Sequence, residues 1–253
     1  MGPNTILLDY LRTLITLTML AYASYKDVKT REVHDLVWII PSTIGVLFDL
    51  YELFTNNLNV IEALINIGFI IVLSGVLYFL NLFGEADLLA FIALSIIHPR
   101  VPMYNFIGYP PIIFSFTLIA NSAMTGVLMT LVTAGTNMML VIKGIELFNR
   151  HESTSPLKKI ALFFSGRYIK VDSLRGPPFE YPLEDNEKLM IKPNLSNDDE
   201  ANQIFKSLRE NNFERVWVST TIPYIVVLLV GYLISVIFGD LIFTILVTLG
   251  HNS

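Results

Sequence analysis

The sequence predicts an all-α polytopic membrane protein of six transmembrane helices, with a small mixed α/β soluble insertion between the fifth and the sixth. Three observations carry this expectation. Hydrophobic residues make up 53% of the 253-residue chain and charged residues only 15%, with a mean hydropathy of +0.57, far from the profile of a soluble domain. The apolar residues gather in runs of the length a bilayer requires, roughly 20 residues of helix. The charges gather as well: residues 150–215 hold 11 Lys/Arg and 11 Asp/Glu.

In chain order the apolar runs predict helices at 5–26, 36–54, 60–82, 85–98, 112–148 and 217–249. The first run carries Asp9 and Arg12 in place of a basic start and lacks a small-residue cleavage site, so it reads as a retained helix. The fourth is too short. From Leu88 to Ile97 it covers about 15 Å at about 1.5 Å per residue, half of the roughly 30 Å hydrocarbon core. It therefore either continues past Pro99 or sits inside the bundle with its start sunk below the membrane surface, which would put Asp87 in a water-reachable cavity. The fifth run exceeds one crossing but has no turn or polar gap for a hairpin, so it is expected as one long, tilted or protruding helix.

The organisation expected is residues 1–149 with five membrane helices, 150–215 as the soluble insertion, and 216–253 with the sixth helix. Within the insertion, Gly176-Pro177-Pro178 and Tyr181-Pro182 mark turns, while Ile160 to Leu174 and Lys188 to Lys192 read as strands. Ser196 or Asn197 can cap a helix with Asp198, Asp199 and Glu200 in its first turn and Ala201, Ile204, Phe205 and Leu208 on one face. No repeat or low-complexity tract is evident.

Of the 17 basic residues, all but Arg12 and Arg100 fall on the side of the first loop, which holds Lys26, Lys29 and Arg31. By the positive-inside rule that side is cytoplasmic, which puts the insertion in the cytosol and both termini outside. Zero cysteines exclude disulfides, thiolate zinc sites and a cysteine nucleophile. A net charge of −5 argues against nucleic acid as a partner. His34, His98, His151 and His251 are scattered, with no His-Glu-x-x-His helix for zinc proteolysis. Ser74-Gly75 has no histidine at its depth for serine chemistry, and no phosphate-binding glycine loop occurs.

Two acids remain. Helix one ends inward at Asp27, and helix four begins on that same side with Gly84-Glu85-Ala86-Asp87, so Asp27 and Asp87 share one depth. Carboxylates in a membrane are disfavoured by a few kcal/mol or more and mark proton, ion or catalytic sites. Two that approach closely share a proton, which is the apparatus of aspartyl proteolysis and needs no metal or other cofactor. Each acid also has a plainer reading, Asp27 as an interfacial ion pair with Lys26 or Lys29 and Asp87 as a helix-start cap. Glu85 reads as a solvated or capping residue, and Lys26 and Asp35 could tune the dyad or meet substrate but are not assigned to the site. Asp9 and Asp240 lie towards the outer side, where they could approach each other and Arg12 as a structural ion pair. A proton- or ion-coupled transporter could use the same carboxylates, although the duplicated halves and broken helix pairs of such carriers are missing. An assembly subunit whose insertion binds partners is the third reading.

Asp27 lies in Tyr25-Lys26-Asp27-Val28-Lys29-Thr30-Arg31-Glu32-Val33, and Gly84-Glu85-Ala86-Asp87 follows an apolar helix. Together these resemble the two aspartate motifs of the GxGD membrane aspartyl proteases, the type IV prepilin peptidase group, and most of all its archaeal preflagellin-cleaving branch. The resemblance covers the six-helix layout, the cytoplasmic insertion before the last helix, and both motifs. It implies that Asp27 and Asp87 are catalytic, with Gly84, Glu85 and Ala86 completing the second motif. It also implies that the partners are a preflagellin or pilin-like precursor with a short basic signal peptide and the lipid bilayer, the cut being made at the cytoplasmic face of the cell membrane. The third motif position is Ala86 where the family name has glycine, a looseness that matches the archaeal branch. Without cysteines, no methyltransferase activity is expected.

Overall fold

The computed structural model describes residues 3–80, 83–185, 188–195, 197–220 and 223–251. Among the described residues, nine α-helices and three strands follow one another: α1 (Pro3–Thr30), α2 (Leu36–Phe54), α3 (Val60–Phe79), α4 (Glu85–Ile97), α5 (Phe114–Ile142), α6 (Pro156–Ser165), β1 (Arg167–Lys170), β2 (Glu180–Pro182), α7 (Asp198–Glu210), β3 (Arg215–Thr220), α8 (Tyr224–Phe238) and α9 (Leu241–His251). Residues Met1–Gly126 with Pro223–Ser253 form one compact unit and Val127–Ile222 a second, the boundary falling within α5.

Among the described residues, α1, α2, α3 and α5 are long and apolar enough to cross a membrane. The short α4 is the most enclosed. Leu88, Ala90, Phe91, Ala93, Leu94, Ser95 and Ile97 are buried along it, and it packs chiefly on α2 and α3, whereas α1 packs chiefly on α8 and α2. Close approach explains part of this enclosure, since a Cβ on Gly45 of α2 would stand 3.0 Å from the Ile97 Cα. The helix stops at Ile97, ahead of Pro99, so of the two routes left open by its shortness it takes the one inside the bundle.

An interior helix end exposes backbone carbonyls that hydrocarbon cannot satisfy. Side chains meet them here. Arg12 Nη1 of α1 donates to the Ile97 carbonyl at 2.6 Å, and Asn66 Nδ2 of α3 donates to the His98 carbonyl at 2.7 Å.

The expected sixth helix, 217–249, is corrected. Its first residues belong to β3, a helix starts only at Tyr224, and the chain breaks again before α9. Gly239 adopts φ +74°, the left-handed region glycine tolerates, and a Cβ there would collide with the Tyr109 carbonyl. Asp240 then accepts from the Phe243 amide at 3.0 Å, capping α9. Hydropathy missed the break because a buried strand and a membrane helix share an apolar composition. The expected 60–82 helix ends at Phe79, with 81–82 outside the described residues, and the 112–148 helix is trimmed to α5.

The second unit holds the insertion, preceded by the C-terminal part of α5. Its sheet has the order β1-β3-β2 with both neighbours antiparallel to β3, in the register Tyr168↔Trp217 and Tyr181↔Ser219. Alternation sorts the central strand into two faces. Val216 and Val218 pack with Phe205 and Leu208 of α7, while Trp217 packs with Leu162 and Leu183 and donates its Nε1 hydrogen to the Leu147 carbonyl at 3.0 Å. The α7 helix matches expectation, the Asn197 side chain accepting from the Glu200 amide at 3.0 Å; Ser196, the other candidate cap, lies outside the described residues. Two strand expectations are corrected. Ile160–Ser165 is the end of α6, whose start is favoured by Pro156 in its first turn, and Lys188–Lys192 contributes only a single bridge, Glu184↔Leu189. The Tyr181-Pro182 pair, expected as a turn, lies in β2.

Candidate active site

Asp27 occupies the last turn of α1, and Asp87 the first turn of α4. Both are half-buried. The Asp27 Oδ2 atom accepts the Ile225 amide at 3.3 Å, in the first turn of α8, where amides lack intrahelical partners. Its Oδ1 atom stands 3.6 Å from Arg31 Nη1. A second tie fixes the same place, Ser24 Oγ donating to the Ile225 carbonyl at 3.2 Å.

Asp87 follows the helix-capping Gly84, with its own amide 3.1 Å from the Gly84 carbonyl. A methyl group on Gly84 would lie 3.6 Å from Asp87 Oδ2, in ordinary van der Waals contact with the carboxylate. Gly84 and Glu85 are exposed and Ala86 half-buried. The Asp87 carboxylate stands within electrostatic range of both Asp27 and Tyr224. Behind it Phe83, Phe91 and Tyr224 form an aromatic wall, with ring centroids 4.7 Å apart for Phe83 and Tyr224 and 5.8 Å for Phe83 and Phe91.

The sequence reading missed three of these neighbours. Arg31 is four residues beyond Asp27, a spacing that signals a helical pair, and Phe83 directly precedes the motif glycine. Tyr224 carried no signal, because it fell inside the single helix expected at 217–249. Of the two residues left unassigned near the dyad, Asp35 is exposed ahead of α2, and Lys26 stands over the Tyr22 ring, 5.9 Å from its centroid.

Asp9 and Asp240 do not meet. Asp9 pairs with Arg100 at 3.0 Å and accepts the Met103 amide at 2.8 Å, whereas Asp240 accepts from Thr117 at 3.2 Å. Arg12 pairs with Asp49 at 2.7 Å and Glu52 at 2.9 Å, two α2 acids that the sequence reading passed over as partners. Among the described residues, no three His, Asp or Glu side chains converge as a metal site requires.

The type IV leader peptidase family matches residues 14–136, a span that holds both aspartates, and the archaeal peptidase A24 C-terminus type II matches residues 158–241. A preflagellin peptidase of Methanococcus maripaludis is 29% identical over 237 residues, covering 90% of this chain and 95% of the relative. Those of Methanocaldococcus jannaschii, at 25% over 87% of this chain and 91% of the relative, and Methanococcus voltae, at 26% over 92% and 97%, are similar along their lengths. A transporter built on the same carboxylates finds no support in these likenesses. The chain is a peptidase and belongs to the type IV leader peptidase family, with the C-terminal part of its archaeal A24 members.

Proposed function

We propose that the protein is a membrane aspartyl endopeptidase that removes the short basic signal peptide from preflagellins or pilin-like precursors at the cytoplasmic membrane face, with Asp27 and Asp87 as its catalytic pair. The observation that carries this reading is that two half-buried carboxylates, in the last turn of α1 and the first turn of α4, stand within electrostatic range of each other inside the leader-peptidase span. One carboxylate takes a proton from water as its oxygen attacks the scissile carbonyl carbon. The other, protonated, donates a hydrogen bond to the carbonyl oxygen, and a proton passes to the leaving nitrogen as the C–N bond breaks. The arrangement resembles other paired-carboxylate sites in which one group is held neutral and the other ionised. The names of the relatives support a preflagellin substrate.

The membrane placement proposed has α1, α2, α3 and α5 as full crossings, α4 enclosed among them, and α8 with α9 together as the last crossing. Lys and Arg placement supports a cytoplasmic position for the dyad and for the insertion. The apolar helix of the signal peptide docks beside α4, leaving its basic residues at the cytoplasmic surface. Purified protein incubated in detergent with a preflagellin-like precursor should yield a shorter product whose new N-terminus, read by sequencing, lies just after the basic segment. Recovery of intact precursor alone refutes the proposal.

A further inference from the structure

Buried charges at the far end of α4 are not used by the proposed chemistry. Arg12 of α1 is 1% exposed, Glu52 of α2 is fully enclosed and Arg100, just past α4, is 4% exposed. Glu52 bridges the two guanidinium groups, at 2.9 Å from Arg12 and 2.7 Å from Arg100. Arg12 also holds the Ile97 carbonyl with a 2.6 Å hydrogen bond, and Arg100 reaches back to Asp9 of α1 at 3.0 Å. The network thus grips the C-terminal end of α4 from α1 and α2.

The two aspartates sit at the other ends of these two helices. Asp87 lies about 15 Å up α4 from Ile97, and Asp27 about 22 Å up α1 from Arg12, at about 1.5 Å per residue. Direct packing between α1 and α4 is slight, since α4 rests on α2 and α3. Apolar surfaces such as those around Ala90 and Ala93 resist separation but allow packed helices to slide along one another by small shear motions. A guanidinium shared between a helix-end carbonyl and two carboxylates does not allow such sliding, because any shift unpairs buried charge.

We propose that Arg12, with Glu52 and Arg100, acts as a positioning residue for the dyad: by clamping the C-terminal end of α4 it sets the register of α4 against α1, and with it the separation of Asp87 from Asp27. This inference rests on the assignment of those two aspartates as the catalytic pair.

The chain's lack of cysteines permits a direct test on the full protein. Val28 and Leu89, exposed neighbours of the dyad, are replaced by cysteine and nitroxide-labelled, and the distance distribution between them is read by electron spin resonance. Arg12→Lys keeps the positive charge but lacks the planar fork that serves the Ile97 carbonyl and the acids together. It should broaden the distribution and lower kcat on the precursor by about tenfold or more, with KM changed by less than about twofold. Leu118→Ala, a truncation of the apolar core in α5 that removes none of the clamp's charges or hydrogen bonds, should lower the melting temperature while leaving distance and kcat unchanged. Arg100→Lys serves if Arg12→Lys fails to insert.

An unbroadened distribution with unchanged kcat in the lysine variants overturns the proposal, as does a kcat loss that Leu118→Ala reproduces at equal melting temperature. If the unsubstituted protein cleaves nothing, the protease assignment fails, and the label distances still decide whether the clamp sets the helix register.

Discussion

Replacing Asp27 and Asp87 by asparagine, singly and together, separates a catalytic pair from two structural acids. Asparagine keeps the shape and removes the proton chemistry. An acid or base positioned in the transition state contributes about 10²- to 10⁴-fold, or about 3–5 kcal/mol at about 1.4 kcal/mol per tenfold. Fold stability should move far less. In Asp27→Asn the new amide oxygen can still accept the Ile225 N–H that reaches the carboxylate at 3.3 Å. The Arg31 pair, long at 3.6 Å and partly open to solvent, contributes about 0.5 kcal/mol after screening. Groups that act as a unit are strongly non-additive, so Asp27→Asn/Asp87→Asn should cleave about as slowly as either single variant. Initial rates of cleavage at saturating precursor, beside melting temperatures in detergent, test both parts. Full activity in either single variant refutes the assignment. So does a double variant whose loss is the product of the two single losses, since independent contributions are incompatible with one shared reaction step.

Other positions yield further tests. A Cβ on Gly231 would fall 2.6 Å from the Ser122 Cα, so Gly231→Ala should push α8 from the start of α5 and destabilise the protein by about 1–3 kcal/mol, read as a lowered melting temperature. Asn197→Ala removes the cap of α7 and should reduce local stability by about 1 kcal/mol, visible as faster hydrogen exchange at Glu200 and its neighbours with cleavage unaffected. The Tyr181 hydroxyl donates to Asp198 at 2.7 Å, and burial, with that carboxylate, pushes its pKa from 10.0 to about 12. Its contribution is complete below pH 10 and is lost as pH rises towards 12, so the alkaline loss of stability of the insertion should be smaller in Tyr181→Phe, measured by denaturant unfolding across that range.

Where a residue's role depends on near neighbours in the chain, the sequence was informative. Gly84 to Asp87 opens α4 as the motif suggested, and Asn197 caps α7, because capping is decided within four residues. The shortness of α4 foretold its enclosure, since a helix of about 20 Å cannot face lipid alone across the bilayer. Features made by distant residues were not legible. Arg12 looked destined for Asp9 or Asp240, yet it turns to Asp49 and Glu52, whose position on the inner side of α2 no single-helix pattern announces. Tyr224 and Ile225 border the dyad only because the last apolar run begins as a strand and restarts as a helix, and hydropathy cannot tell buried sheet from membrane helix in Val216-Trp217-Val218. Pairing in β3 depends on partners at Arg167–Lys170 and Glu180–Pro182, more than 30 residues away in the chain.

Asp27 and Ile225 stand 198 residues apart in the chain, so the second is synthesised well after the first. Until α8 has threaded into place, the amide that steadies the Asp27 carboxylate, and the carbonyl that receives Ser24, do not exist. Chains form their N-terminal parts first during synthesis, so a nascent protein halted before α8 holds both aspartates in an unfinished setting. On the proposed mechanism, the dyad takes its final setting only once α8 has packed on α1. The packing of α8 on α1 is thus a late step in building the site, taken after both aspartates have been made.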